Sequence, residues 1–393
     1  MIEKNITHKN EFSSEARLTF LESTSIIIGH GVGSGILAVP YLASRNSWFH
    51  ILLVLALCYC INLLLHLMIA ELSYNNNVAQ FISCFKSELF KGKIGKAFVW
   101  LAFCFLAISV LINVSGFITG SAAVFHQWFG LPEQIGMLIY YVLASIVVFF
   151  GMKLVGIAEK FSVFSLILVT LILFIASLMA EHLGMVNTFI TNTNILALYS
   201  TIAFSLSAIM SVPQVVKGSN GNITHIRGAI ALGTGINAVL ILLITYMTLL
   251  GAGNLVSERG AFVDLSVVLG GWISIVGFVF SLLALSTSFW ANTLNLRDIV
   301  HEQTGLPLKW SYLVCSLPSF LLALFSLQSF VAFTRLAGIV QVLTGIGIII
   351  AYHRSRKRTG TSVICGKWGL LPFEILIILS SILATLGSLI QIQ

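Results

Sequence analysis

A chain of 393 residues that is 58% hydrophobic and only 9% charged cannot clothe a soluble domain, because such a domain carries roughly 25% charged residues. Its mean hydropathy of +0.99 makes lipid the solvent for most of its exterior. The net charge of +7 then points to anionic headgroups and not to nucleic acid.

In chain order, residues 1–18 form a short polar tail with Glu3, Lys4, Lys9, Glu11, Glu15 and Arg17 and no cleavable apolar stretch, which predicts a cytoplasmic tail and not a signal peptide. Apolar runs meeting the ~20-residue requirement for a ~30 Å core follow at 19–44, 48–73, 97–127, 134–152, 160–180, 193–216, 226–251, 265–294, 309–327, 330–352 and 370–391. The fold class expected is therefore all-α and polytopic, with about eleven spans in a single transmembrane domain over 19–393. No loop is large enough to hold a soluble enzyme, and no Walker motif, nucleotide loop, metal-binding His pair or GxSxG appears. All but three of the 21 Lys and Arg fall in the tail and in every second connection: Lys86 to Lys96, Lys153 and Lys160, Lys217 and Arg227, Arg297 and Lys309, and Arg354 to Lys367. The positive-inside rule then places the N-terminus in the cytoplasm and, with eleven spans, the C-terminus outside. The nine His and six Cys show neither metal nor disulfide spacing, so the cysteines read as small packing residues. The Asn-x-Ser/Thr matches at Asn5, Asn113 and Asn222 fall in cytoplasmic or buried positions and are discarded.

Two spans carry signals of interruption. The first contains GHGVGSGILAVPY at 29–41, the sixth AFSLSAIMSVPQ at 203–214. At an offset of 173 residues, Ile36–Pro40 matches Ile209–Pro213 and Ser34 matches Ser207; five spans separate the copies, so they enter the membrane from opposite sides. Inverted repeats with Gly- or Pro-interrupted helices point to a transporter's central site. Gly29, Gly31, Gly33 and Gly35 leave helical geometry cheaply and Pro40 frees a carbonyl, and unwound backbone at membrane depth must line a polar cavity or be buried in protein. The N–H groups of Val32 to Gly35 are expected to face a carboxylate. Carbonyls of the inner half-helix and around Phe204, Ser205 and Ser207 are expected to accept from an ammonium, so the ligand suited is a zwitterion.

Other polar residues inside the membrane read as follows. Glu22, two turns before the break, is an inner-gate partner for Arg17 or Lys96, a proton carrier, or a carboxylate reaching water. Glu71 reads as a structural partner of a basic loop. Span 3 presents Ser109, Asn113, Gly116 and Gly120 on one stripe, facing either the substrate's side chain or another helix. Span 8 carries Ala284, Thr287, Ser288, Ala291 and Asn295 on one face, with Asn292 along the same side. Arg335 forms an outer gate with Asp264, attracts a carboxylate, or snorkels outward. His30 carries a coupling proton, touches substrate, or bonds a freed carbonyl.

GVGSGILAVPYLA in span 1, AFSLSAIMSVPQVVKG in span 6 and LLALSTSFWANTLNLRD in span 8 resemble the amino acid/auxin permease group, closest to the bacterial hydroxy and aromatic amino acid permeases, within the amino acid–polyamine–organocation superfamily. The resemblance runs over nearly the whole chain. It implies the leucine-transporter-type fold, with a first repeat over 19–180, an inverted second over 193–352 and an extra helix at 370–391. It also implies symport of an amino acid with H⁺ or Na⁺ and no other cofactor. In sodium-coupled relatives a Thr-Ser pair on span 8 joins span 1 carbonyls around the ion; Thr287 and Ser288, with the carbonyls of Ala284, Gly29 and Val32, match those positions. His30 departs from the small polar residue usual there, which sets sodium coupling against proton coupling. The function expected is secondary active import of a neutral, aromatic or hydroxylated amino acid. The alternatives are a non-transporting amino acid sensor or an ion channel on the same fold.

Overall fold

The structure, a computed structural model, describes residues 17–33, 35–179, 194–257, 261–325, 330–388 and 390, and the side chains of these except Asn254 and residues 330–344. Every regular element among them is helical. The first interrupted span is α1 (Phe20–Gly31) followed by α2 (Gly35–Ala43), bent by 55° at the break. Then come α3 (Trp48–Asn75), the short α4 (Phe81–Glu88), α5 (Gly92–Phe129), α6 (Glu133–Phe149) and α7 (Met152–Leu178). The second interrupted span is α8 (Ile195–Ser205), a 3-10 turn (Ile209–Ser211) and α9 (Val212–Gly218). It is followed by α10 (Ile223–Gly251), α11 (Ala261–Leu269), α12 (Trp272–Thr304), α13 (Leu308–Phe325), α14 (Phe330–Thr359) and α15 (Leu371–Ser388).

Each of the eleven expected apolar runs is occupied by a helix or an interrupted pair. Among the described residues, eight helical stretches are long and apolar enough to cross a membrane, the interrupted α8–α9 stretch (Ile195–Gly218) counting as one, and the bent α1–α2 pair makes a ninth; α6, with 17 residues, is shorter. The run expected at 265–294 is corrected. Gly270, at φ +94°, ends α11 and lets α12 start afresh at Trp272, so a separate short helix precedes the eighth span. The ends follow local chemistry. Thr19 and Glu22 close a capping box at the start of α1, with Glu22 N donating to Thr19 Oγ1 at 3.3 Å and Thr19 N to Glu22 Oε2 at 2.8 Å. Left-handed glycines, Gly130 and Gly305, end α5 and α12.

The outside is apolar and the polar residues lie within, as lipid demands. Phe49, Leu53, Ile108, Phe164 and Ile175 are all more than half exposed, whereas Glu159, His66, Asn237, Thr287 and Asn292 are buried. α1 packs on α7, α10 and α12, and α5 on α6, α12, α13 and α14. The connections read as basic meet at one end of the bundle. There Lys153 binds Glu22, Lys217 binds Asp298, Arg358 binds Glu88 at 2.6 Å, and Arg227 Nε donates to Ile364 O at 2.7 Å. Glu71 serves that end too, through backbone instead of a basic side chain: it accepts from Val363 N (2.7 Å), Cys365 N (2.9 Å) and Ser362 Oγ (2.8 Å). All six cysteines are free.

Candidate functional site

The two interruptions meet at one cavity lined by His30, Gly31, Gly33 and Gly35 of the first, Phe204, Ser205, Ser207, Ile209 and Met210 of the second, Asn113 and Phe117 of α5, and Ser288 and Asn292 of α12. Both prolines of the internal match lie just beyond a break, Pro40 inside α2 and Pro213 at the start of α9. Of the expected substrate residues, His30, Gly31, Gly33, Gly35, Asn113, Phe204, Ser205 and Ser207 thus line one space. Val32 does not line it, and Ser34 lies outside the described residues, as does Asn5 of the first discarded sequon.

The glycines work differently from expectation. None of Gly29, Gly31, Gly33 and Gly35 has a positive φ, and Gly29 and Gly31 are still helical. What they supply is the absence of a Cβ where polar side chains from four other helices come in. A methyl on Gly29 would fall inside the Glu159 carboxyl of α7, and one on Gly31 would meet Asn237 of α10 and, at 3.2 Å, Ser205 O. One on Gly33 would lie 2.9 Å from Ser288 Oγ, and one on Gly35 2.6 Å from Ser205 Oγ. The expected free donor at Val32 is also corrected: its N–H closes the last turn of α1 on Ile28 O at 2.8 Å, and Ile36 N bonds Gly33 O at 3.3 Å.

The second interruption is held by side chains. His66 of α3 accepts from Ala208 N at its Nε2 (3.0 Å), which leaves the ring proton on Nδ1 to meet Thr234 Oγ1 at 3.3 Å. His30 Nδ1 lies 2.8 Å from Ser211 Oγ, so His30 ties the two breaks together and its partner is a hydroxyl instead of a freed carbonyl. Asn113 Nδ2 reaches Asn292 Oδ1 at 3.5 Å, and Asn292 Nδ2 donates to Ser288 O at 2.8 Å, joining α5 to α12 across the cavity.

On the coupling side, Thr287 Oγ1 donates to Ala284 O at 3.0 Å, and Ser288 Oγ is buried with no partner among the described residues. The Glu159 carboxyl and Thr287 both lie against Gly29. Glu22 pairs neither with Arg17's side chain nor with Lys96: its oxygens take Lys153 Nζ at 2.6 and 2.8 Å, because α7 begins against the first turn of α1. Next to that pair Leu18 N donates to Gly218 O at 3.0 Å, and its side chain packs on Gly156 and Gly218. Asp264 accepts from Ser257 N (2.7 Å) and Ser257 Oγ (2.6 Å). The Arg335 side chain expected opposite it lies outside the described residues.

Sequence reasoning passed over Phe117, Ile209, Met210 and Glu159. Phe117 stands four residues after Asn113 on the same stripe, and helical spacing alone would have found it. Glu159 would have been flagged by the rule that an ionisable residue inside a span is a candidate functional group, had the adjacent Lys160 not drawn it into the basic loop.

Comparison with solved structures returns membrane transporters. The nucleobase-cation-symport-1 family transporter Mhp1, in a closed conformation with bromovinylhydantoin bound, superposes with a TM-score of 0.67 at 14% identity, over 95% of this chain and 92% of that one. MhsT in complex with L-phenylalanine gives 0.69 at 14% identity over 96% and 100%. A mutant of the Eremococcus coleocola manganese transporter gives 0.59 at 15% identity over 94% and 85%. These likenesses establish the fold, the five-plus-five inverted repeat with spans 1 and 6 broken. No curated protein matches. The profile of the tryptophan/tyrosine permease family matches residues 17–386. A bundle of apolar helices around a cavity between two broken spans is what a permease of that kind requires, and the chain is an integral membrane transporter, not an enzyme, belonging to the tryptophan/tyrosine permease family.

Proposed function

We propose that this chain is a secondary active transporter that imports a neutral amino acid, aromatic or hydroxylated, by alternating access, with H⁺ or Na⁺ as the coupling ion. The observation that carries the reading is the cavity itself. Half-helix ends suited to a zwitterion stand beside a wall of Phe117, Phe204, Ile209 and Met210 suited to an apolar side chain. Phe204, 39% exposed, packs over Gly35. The complex of MhsT with L-phenylalanine gives the aromatic reading further support. In this reading the basic end faces the cytoplasm, putting the N-terminus inside and the C-terminus outside the cell membrane. The repeats over 19–180 and 193–352, with an added helix at 370–391, are then the halves that rock about the site, and release inward requires Leu18 and the Glu22–Lys153 pair to part. Thr287 and Ser288, with the carbonyls of Ala284, Gly29 and Val32, form the region where the coupling ion is held.

One charge moved through 100 mV supplies ~2.3 kcal/mol, enough for roughly fifty-fold accumulation. The test is uptake by purified protein in liposomes of labelled tryptophan, tyrosine, serine, threonine and alanine, under separately imposed Na⁺ and H⁺ gradients. The expected result is accumulation of tryptophan or tyrosine above equilibrium with one gradient. Binding detected by thermal shift, with no accumulation of any amino acid under either gradient, would replace the transporter by a sensor.

A further inference from the structure

Seven carboxylates are buried among the described residues, and six of them have partners. Glu22 has Lys153, Glu71 the 362–365 backbone and Ser362, Glu88 has Arg358, Asp264 has Ser257, Asp298 has Arg297 and Glu374 has His353. The seventh, Glu159, is 0% exposed, and neither of its oxygens has a hydrogen-bond partner among the described residues. No packing accident of a flexible surface put it there. It stands about two turns into α7, and Gly29, lacking a side chain, is what makes room for its carboxyl; a methyl there would lie 2.8 Å from Glu159 Cδ and 3.0 Å from Thr287 Cβ.

No charged side chain reaches it from the helices packed against α7. On α1, His30 faces Ser211 and Glu22 is spent on Lys153 at the basic end. On α10 the neighbouring polar groups are Thr234 and Asn237, turned to His66 and Ile27 O, while His225 meets Ser23 and Arg227 meets Ile364 O at the start of the helix. On α12 the residues at this level are Thr287 and Ser288; Arg297 and Asp298 pair with each other nearly three turns away, and Glu302 and His301 lie beyond them. On α6, Tyr141 meets Ser316 and Tyr140 packs on Phe289. On α7 itself, Lys153 is held by Glu22 and Lys160 lies over the Phe161 ring. A bare carboxylate in such a place costs several kcal/mol, so this group needs one positive charge that no described residue provides.

We propose that Glu159 holds the coupling cation: a single monovalent cation, Na⁺ or H⁺, neutralises its carboxylate in the gap between Gly29 and Thr287. The inference rests on the transporter reading above and deepens it. The gap adjoins the cavity wall, two residues along α1 and one along α12, since Gly31 and Ser288 line the cavity and Gly29 and Thr287 line the gap. With the cation bound, α1, α7 and α12 pack without a buried charge and the broken span is seated for substrate. With it gone, the charge favours the arrangement that lets water reach Glu159 from the basic end. No bond other than the carboxylate–cation contact forms or breaks.

Glu159→Gln keeps the shape and removes the charge. Two readouts are taken on purified full-length protein: gradient-driven uptake in liposomes, and the thermal unfolding midpoint titrated with NaCl against matched KCl and, separately, with pH. The expected result is that wild-type accumulation falls at least ten-fold in Glu159→Gln and that the cation dependence of the midpoint flattens, while Glu159→Asp keeps that dependence with an apparent affinity shifted about ten-fold. A wild-type midpoint that follows Na⁺ at fixed pH names sodium; one that follows pH alone, with proton-driven uptake, names the proton. Glu159→Gln with wild-type accumulation and an unaltered cation response overturns the proposal and leaves the transporter intact. A wild type whose cation response depends on Glu159 but which accumulates no amino acid overturns the transporter reading and leaves the cation site standing. A wild type whose midpoint responds to neither cation overturns the cation site, and one that in addition accumulates no amino acid under either gradient overturns both.

Discussion

In the first broken span, glycines at 29, 31, 33 and 35 open space that Glu159, Asn237, Ser288 and Ser205 fill. The second, from Phe204 to Ser211, contains no glycine and is held open by donors and acceptors: His66 on Ala208 N, Ser211 on His30, and a 3-10 turn in which Ser211 N bonds Ala208 O at 2.9 Å. Both end at the same cavity. One is fitted by volume and the other by hydrogen bonds, so different chemical changes probe the two sides. An added methyl at a glycine is the change that tests the first; a lost hydrogen bond is the change that tests the second.

The largest effect is expected at Gly31→Ala. Its new Cβ would meet Asn237, which is pinned to Ile27 O at 3.2 Å, and the backbone oxygen of Ser205. Neither is the free end of a flexible chain. Overpacking costs about 1–3 kcal/mol, and this site belongs at the upper end, with substrate-induced thermal stabilisation lost. Gly33→Leu, larger still and aimed at Ser288 Oγ, is expected to abolish binding while the purified protein stays folded. Normal uptake by either variant would show that the first break is not fitted by volume.

His66→Leu comes next and probes the other side. Removing the ring leaves the buried Ala208 N–H without an acceptor, a loss of about 1–3 kcal/mol, read as a lowered unfolding midpoint with the cavity residues themselves unchanged. A midpoint equal to that of the wild type would mean that the second break holds its shape without this hook.

The contrast was only half legible in the sequence. The glycine run and the Ile36–Pro40/Ile209–Pro213 match mark where the helices break, because backbone punctuation is local and written in residue type. What the glycines are for is not local. It depends on Glu159, Asn237 and Ser288 arriving from helices far along the chain, and nothing in the spacing of span 1 announces them. His66 could have been noticed as a lone ionisable group in Leu65-His66-Leu67, but its task, accepting from a main-chain N–H 142 residues on, follows only from packing. Glu22 shows the same limit. Its capping box with Thr19 is readable from the sequence, whereas its choice of Lys153 over Arg17 or Lys96 is set by where α7 begins.

A smaller effect joins the two modes at one point. Gly35 of the first span faces Ser205 Oγ of the second, and that hydroxyl is fixed by its own bond to Thr201 O at 2.8 Å. Gly35→Ala alone is expected to destabilise by about 1–2 kcal/mol through overpacking. Ser205→Ala alone removes a hydrogen bond worth about 1 kcal/mol. If volume governs the contact, the double variant recovers about 1 kcal/mol of the sum, because the deleted oxygen vacates the space that the new methyl needs; adjacent sites commonly couple by about 0.5–3 kcal/mol. Additive losses in the unfolding midpoints would instead mean that Phe204, whose Cδ1 lies 3.1 Å from the added methyl, is the true obstacle. In that case Gly35 is kept clear for the aromatic ring that lines the cavity, and substrate affinity, more than stability, is what its substitution changes.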